Sequence, residues 1–208
     1  MQMHNHEKYK CIIGIDEVGR GSIAGPAAVG ALKLQVKSVK LKVKEGWFHG
    51  LRDSKKLTPR AREKWFEKIK DAQTEGWLDY AVMFSSAGMI DKKGIVPAIY
   101  SALVRAIRKL SCGPVETLVL LDGGLKAPRK YIHQQTIIKG DEKEFAIALA
   151  SIVAKVTRDN RMRSIARRNP NYHLHAHKGY GTSAHYEALK QNGITKHHRK
   201  SFLKNVMS

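Results

Sequence analysis

Asp16 and Glu17 stand together in Gly14-Ile15-Asp16-Glu17-Val18-Gly19-Arg20-Gly21, directly after the apolar run Cys11-Ile12-Ile13. Two adjacent carboxylates at the mouth of a buried strand repel each other and resist desolvation. A hard divalent cation such as Mg2+ relieves both problems, because it takes oxygen ligands and keeps positions open for water or phosphate. Gly19-Arg20-Gly21 offers bare backbone and one guanidinium, which suits close approach to a sugar-phosphate chain. Read alone, the segment is equally a strand that ends in an acidic turn.

Two further carboxylates fall at element ends. Asp122 follows the apolar run Leu118-Val119-Leu120-Leu121 and precedes Gly123-Gly124. Asp141 closes Lys139-Gly140-Asp141 at a strand-to-helix junction. Each also has a local reading, since aspartate before glycine forms turns and aspartate caps helices. Taken together, four such carboxylates in a basic chain suit hydrolysis of a phosphodiester by two cations about 3.5–4 Å apart. One cation would generate the attacking hydroxide and the other would stabilise the leaving oxygen.

The elements that must position these groups follow from periodicity. Tyr9 to Asp16 reads as a buried strand, and Pro26 to Leu34 as its partner across a glycine-rich turn. Lys33 to Glu45 reads as a lysine-rich exposed loop or hairpin. A helix is expected from Thr58-Pro59 to about Gln73, with Thr58 as its cap. Trp77 to Phe84 reads as a third strand and Met89 to Leu110 as a long helix whose start is blurred by Gly94 and Pro97. The continuous apolar run Thr117 to Leu121 predicts a central strand covered on both faces. Tyr131 to Lys139 reads as a fifth strand, Phe145 to about Arg168 as a helix, and His185 to Asn192 as a short helix. The pattern predicts an α/β fold with a mixed sheet and helices on both sides.

The chain has 208 residues, room for one domain over 1–208 with a helical portion from about 160. Its formal charge is +20, with 38 Lys and Arg against 18 Asp and Glu, which points to a polyanionic partner. From Lys155 onward only Asp159 and Glu187 interrupt the basic residues, so this part reads as a phosphate-tracking face. No apolar segment is long enough for a membrane and no signal peptide opens the chain. Cys11 and Cys112 give neither a disulfide framework nor zinc spacing, so a reducing cytoplasm is expected.

From Gly14 to Phe202 the chain resembles ribonuclease HII, the type 2 ribonuclease H. The likeness rests on the Gly14–Gly21 segment with Ala24-Gly25-Pro26, on Asp53-Ser54-Lys55-Lys56-Leu57, on Leu121-Asp122-Gly123 and on Lys139-Gly140-Asp141. It continues through Ala150–Asp159, His177-Lys178-Gly179-Tyr180-Gly181-Thr182 and His198-Arg199-Lys200-Ser201-Phe202. The resemblance implies a ribonuclease H-like fold with a mixed five-stranded sheet and a helical C-terminal extension. It implies cleavage of the RNA strand of RNA/DNA hybrids, and cutting 5′ of ribonucleotides embedded in duplex DNA to leave 3′-hydroxyl and 5′-phosphate ends. It implies two divalent ions, Mg2+ or Mn2+, on Asp16, Glu17, Asp122 and Asp141. Gly19, Arg20 and Gly21 would contact the ribonucleotide sugar and its 2′-hydroxyl, and Tyr180 would pack against the next sugar. Ser54, Lys55, Lys56, Lys155, His177 and Lys178 would complete the substrate contacts, with Ser54 able either to cap or to bind phosphate. The implied role is ribonucleotide removal by a cytoplasmic monomer.

Asp159 competes with Asp141 as the fourth ligand but lies deep in a predicted helix beside Arg158, so it reads as an ion-pair residue. Ser22 stands where the family often has proline, and Met89 to Ile95 lacks an asparagine often found there. His173, His175 and His177 alternate, a spacing that binds zinc from one strand face, yet no further ligand supports a site. The rival readings are another nuclease of the same fold, such as a junction resolvase or the type 3 enzyme, and a non-catalytic basic binder. The first needs no Tyr180 loop; the second leaves the carboxylates without a purpose, since they repel phosphate unless metal is bound.

Overall fold

The computed structural model describes residues 8–51 and 57–203. Ser54, Lys55 and Lys56 therefore lie outside the described residues. In chain order the elements are β1 (Cys11–Val18), β2 (Ala27–Gln35), α1 (Val36–Lys44), α2 (Pro59–Thr74), β3 (Leu78–Ser85), α3 (Ala87–Lys93) and α4 (Ile95–Lys109). There follow β4 (Thr117–Asp122), β5 (Gln134–Ile137), α5 (Gly140–Lys143), α6 (Phe145–Arg168), α7 (Leu174–His177) and α8 (Ser183–Asn192). The five strands form one mixed sheet in the order β3-β2-β1-β4-β5. β1 pairs antiparallel with β2 and parallel with β4.

Strand alternation divides the core between the two sheet faces. Ile12, Leu118 and Leu120 pack with Ile147, Leu149, Ile152 and Val153 of α6. Ile13, Ile15, Val119 and Leu121 pack on the other face with Ile99, Leu103 and Ile107 of α4. Each such buried aliphatic side chain stabilises the fold by about 1.5–3 kcal/mol. α6 is buried all round in its first half, so it sits flush on the sheet. Gly14 and Gly30 make that possible: a Cβ at Gly14 would lie 2.1 Å from the Ala146 backbone, and one at Gly30 would lie 2.4 Å from the Ala150 carbonyl.

The second half of α6 carries a third cluster, in which Met162, Ile165 and Ala166 meet Ile23, Ala24, Tyr172, Leu174 and Leu189. The helical C-terminal portion thus docks onto the loop that follows β1. Among the described residues no helix is long and apolar enough to cross a membrane.

Three expectations are corrected. The lysine-rich segment is not a loop: Val36–Lys44 is helical, anchored by buried Val36 and Val39, with Lys37, Lys40 and Lys44 exposed and Lys42 paired with Glu45 and Glu75. The helix expected over Met89 to Leu110 is two helices, broken at Gly94, whose φ of 80° no helix continues through. The fifth strand is confined to Gln134–Ile137.

Candidate active site

The sheet brings the acidic residues to one edge. Ile15 lies opposite Leu121 in the parallel β1–β4 register, so Asp16 and Asp122 are the next residues on adjacent strand ends. By strand parity both follow Ile12, Leu118 and Leu120 toward α6, whereas Glu17 follows Ile13 and Ile15 toward the other face. Asp122 is oriented by the Gly140 amide, which donates to its Oδ1 at 2.7 Å. Asp141, the next residue, is fully buried. It stands within α5 rather than capping it; the cap position belongs to Lys139, in the left-handed conformation.

Burial sets the electrostatics. It pushes the Asp16 carboxyl up to about 8, with Asp122, Glu17 and Asp141 adding to the rise and a hydrogen bond with Ser151 of α6 opposing it. Burial also raises Glu17, against partial relief from Arg20, whose Nη1 is 3.4 Å from Glu17 Oε1. In their present positions no three His, Cys, Asp or Glu side chains among the described residues are close enough to hold a metal ion. The donor set is nonetheless made of carboxylate oxygens, and burial penalises the charged forms of Asp16 and Glu17, which is the chemistry that a hard divalent cation relieves.

A recess of about 510 Å³ opens beside these carboxylates, lined by Asp16, Glu17, Gly19, Arg20, Gly21, Arg62, Ser151, Lys155 and Tyr180. Five of the residues expected to contact substrate therefore share one cavity with two of the expected metal ligands. Arg62 and Ser151 were not anticipated. Lys155 lies 3.9 Å from Asp159, one turn along α6, as an ion pair consistent with the reading of Asp159.

Two buried arginines shape the loop over this recess. Arg199 donates from Nε to the Gly25 carbonyl (3.1 Å), from Nη1 to Arg20 (2.8 Å) and from Nη2 to Gly19 (2.7 Å). Arg158 donates from Nε to the Pro26 carbonyl (2.9 Å), and from Nη2 to Ser22 Oγ (2.9 Å) and the Lys178 carbonyl (3.0 Å). Both are fully buried, and burial lowers both guanidinium groups, Arg199 to about 10. Ser22, in place of the family's frequent proline, supplies a hydroxyl that Arg158 uses. Gly19 is required here, because at its φ of 79° a Cβ would lie 2.1 Å from Arg158 Nε.

Tyr180 is partly exposed, with the Arg158 guanidinium 5.7 Å from its ring centre. A chain of histidines fixes its backbone. The Thr195 amide donates to His198 Nδ1 at 2.9 Å, so the neutral ring carries its proton on Nε2. That nitrogen donates to His185 Nε2 at 3.2 Å, and His185 Nδ1 then donates to the Tyr180 carbonyl at 2.9 Å. Burial holds both rings below the usual imidazole range, His198 at about 4.

His177 stacks on His185 at 4.3 Å and hydrogen-bonds the Tyr172 carbonyl, so it supports the Tyr180 loop from behind. The Lys178 ammonium is folded onto the His175 carbonyl. Neither residue lines the recess. The segment holding His173, His175 and His177 is a 3-10 turn followed by α7, not a strand, so the three rings do not share a strand face. Asp91, in the segment that departs from the family pattern, accepts from the Lys200 and Ser201 amides and from Ser201 Oγ, tying α3 to the C-terminal turn.

The same architecture recurs in known proteins. A family model described as Ribonuclease HII matches residues 13–205. The ribonuclease HII of Caldicellulosiruptor bescii is 41% identical over 203 residues, covering 98% of this chain and 91% of that protein. The ribonuclease HII of Clostridioides difficile is 43% identical over 199 residues, covering 96% of this chain and 72% of that protein. Among solved structures, ribonuclease H2 of Pyrococcus horikoshii OT3 superposes with a TM-score of 0.69 at 24% identity, covering 94% of this chain and 96% of that one. Bst-RNase HIII in complex with Mn2+ superposes with a TM-score of 0.65 at 17% identity, covering 96% and 71%.

Proposed function

The chain belongs to the ribonuclease HII family and is a ribonuclease H-type endonuclease, and from that premise we propose that it cuts the RNA strand of RNA/DNA hybrids and cleaves 5′ of ribonucleotides embedded in duplex DNA. The products would carry 3′-hydroxyl and 5′-phosphate ends, and the role would be ribonucleotide removal by a cytoplasmic monomer whose whole length forms one catalytic domain. Asp16, Glu17, Asp122 and Asp141 would hold two divalent ions, Mg2+ or Mn2+. When bound, these ions supply a more acidic water and positive charge at the scissile phosphate.

The chain's own residues do the rest. Gly140 holds Asp122 by its amide, leaving the carboxylate aimed by the backbone rather than by a flexible partner. Ser151 holds Asp16 from α6. The Gly19–Gly21 backbone, braced by Arg199, would read the 2′-hydroxyl, the handle that separates the RNA sugar from the DNA sugar. Tyr180, braced by His185, would pack on the following sugar. Lys155 and Arg20 would meet flanking phosphates, while His177 and Lys178 would act by supporting the Tyr180 loop. The observation that supports the reading is the parallel register that sets Asp122 on the strand end next to Asp16, which lines the recess together with Gly19–Gly21 and Tyr180.

The test is cleavage of a labelled DNA duplex with one ribonucleotide in Mg2+, Mn2+ or EDTA, alongside Asp122→Asn. The expected result is a single metal-dependent cut on the 5′ side, absent in the variant although the variant still binds. Cleavage of long hybrid without a cut at the single ribonucleotide would overturn the junction reading, and tight binding with no cleavage of either would overturn the metal mechanism.

A further inference from the structure

On the far side of the loop 19–26 from the carboxylates lies a second and larger recess, of about 1020 Å³. Gly25 and Pro26, at the end of the loop opposite to the Gly19–Gly21 segment that lines the candidate active site, line it; Arg105 enters from α4, Arg161 from α6, and Lys196 with His197 from the C-terminal segment. Among the described residues no carboxylate lines it. Arg105, Arg161 and Lys196 are exposed, and Arg105 is held in place by donating to the Phe84 carbonyl at 2.6 Å. Among the described residues the side chains of Arg161 and Lys196 form no ion pair and no hydrogen bond.

Cations gathered without counter-ions repel one another. His197 registers this: burial first, then Lys196, Arg161 and Arg168, hold it below the usual imidazole range. Such a cluster is complementary to a polyanion, whose binding would relieve the repulsion. The loop between the two recesses is braced at both ends by one side chain, since Arg199 reaches Gly19 and Arg20 on the active-site side and Gly25 on the other. A ligand long enough to occupy both must straddle that loop.

We propose that the recess lined by Arg105, Arg161, Lys196 and His197 is a second nucleic-acid site that takes backbone phosphates of the duplex beyond the cleavage position. The inference rests on the nuclease reading above. It makes affinity depend on duplex length to one side of the ribonucleotide, through contacts that carry no sequence information.

The experiment compares wild type with Arg161→Ala/Lys196→Ala, both changes being at exposed positions. Binding is measured in Ca2+, without cleavage, at 50–200 mM salt, on duplexes with one ribonucleotide and arms of graded length on either side. Loss of two phosphate contacts should lower the salt slope by about 1.8, so the affinity lost between 50 and 200 mM salt shrinks about twelvefold in the variant. The gain in affinity on lengthening one arm, present in wild type, should vanish in the variant. An unchanged slope with the length dependence intact would overturn the second site. So would recovery of the wild-type slope on an acidic peptide instead of on duplex, which would assign the recess to a protein partner. Cleavage by wild type in Mg2+ on the same duplexes is the separate check: wild type that cuts while the variant matches it in slope sinks the second site alone, and wild type that neither binds nor cuts removes both readings.

Discussion

Asp16 and Asp122 owe their proximity to a parallel strand register, whereas Gly19–Gly21 and Tyr180 owe theirs to side chains arriving from residues 158 to 199. The acidic half is placed by main-chain hydrogen bonds and is electrostatically strained, with buried carboxylates raising one another. The loop half differs: two arginines bond its carbonyls and a hydroxyl and its histidines are kept neutral, with Arg158 Nη1, among the described residues, the one buried donor of these braces left without a partner. The sheet can hold a costly charge cluster because its register does not depend on those charges. The loops have no such scaffold and are held by long-range hydrogen bonds instead.

The sharpest break of this contrast is Asp16→Asn. Cleavage should fall by on the order of 10³-fold, measured by single-turnover kinetics. In EDTA near neutral pH the thermal midpoint should rise, because an amide needs no proton uptake to be buried whereas Asp16, raised to about 8, does. A lower midpoint would show that Asp16 stabilises the sheet rather than straining it. Next is Arg199→Met, which leaves three loop carbonyls without their partner and should cost several kcal/mol, at about 1–3 kcal/mol for each group left unpaired, read by urea unfolding. Arg199→Lys should not rescue it, since one ammonium cannot span the three acceptors.

Histidine titration gives a third effect. The folded pKa of His198, about 4, lies below its ordinary value of 6.5, so the native state binds fewer protons than the unfolded chain between these values. Stability is therefore held above pH 6.5 and lost as pH falls toward 4, by up to about 3 kcal/mol from this group. His198→Phe should flatten that part of the pH dependence, and amide exchange near Tyr180 should rise because His185 loses its partner. An unchanged pH profile would remove the histidine chain as a support. The smallest effect is Ser22→Ala, about 1 kcal/mol, because Arg158 Nη2 keeps the Lys178 carbonyl.

What could be read from sequence follows the same division. Phe145–Arg168, the apolar β4 and the Thr58-Pro59 helix start were legible because periodicity and capping are local signals. Asp16 and Asp122 were legible for the same reason: each follows a hydrophobic run, so its place at a strand end needs no tertiary knowledge. The helix Val36–Lys44 was missed because its lysines masked an anchor of only two buried valines. The braces carry no local signal at all. Arg158 bonds a carbonyl 132 residues away and Arg199 one 180 residues away. Their motifs marked them as part of a resemblance, but spacing gave no hint of their targets. Asp91 is a similar case, since its partners lie on the C-terminal turn.

The 180-residue span between Gly19 and Arg199 also orders events during synthesis. The acidic edge of β1 leaves the ribosome early, while the side chain that shapes its neighbouring loop follows roughly 10–40 s later at about 5–20 residues per second. Through that interval the nascent chain carries its acidic edge without a finished substrate loop. The enzyme is thus timed as well as shaped by Arg199, and its substrate loop is finished only once that residue has been added.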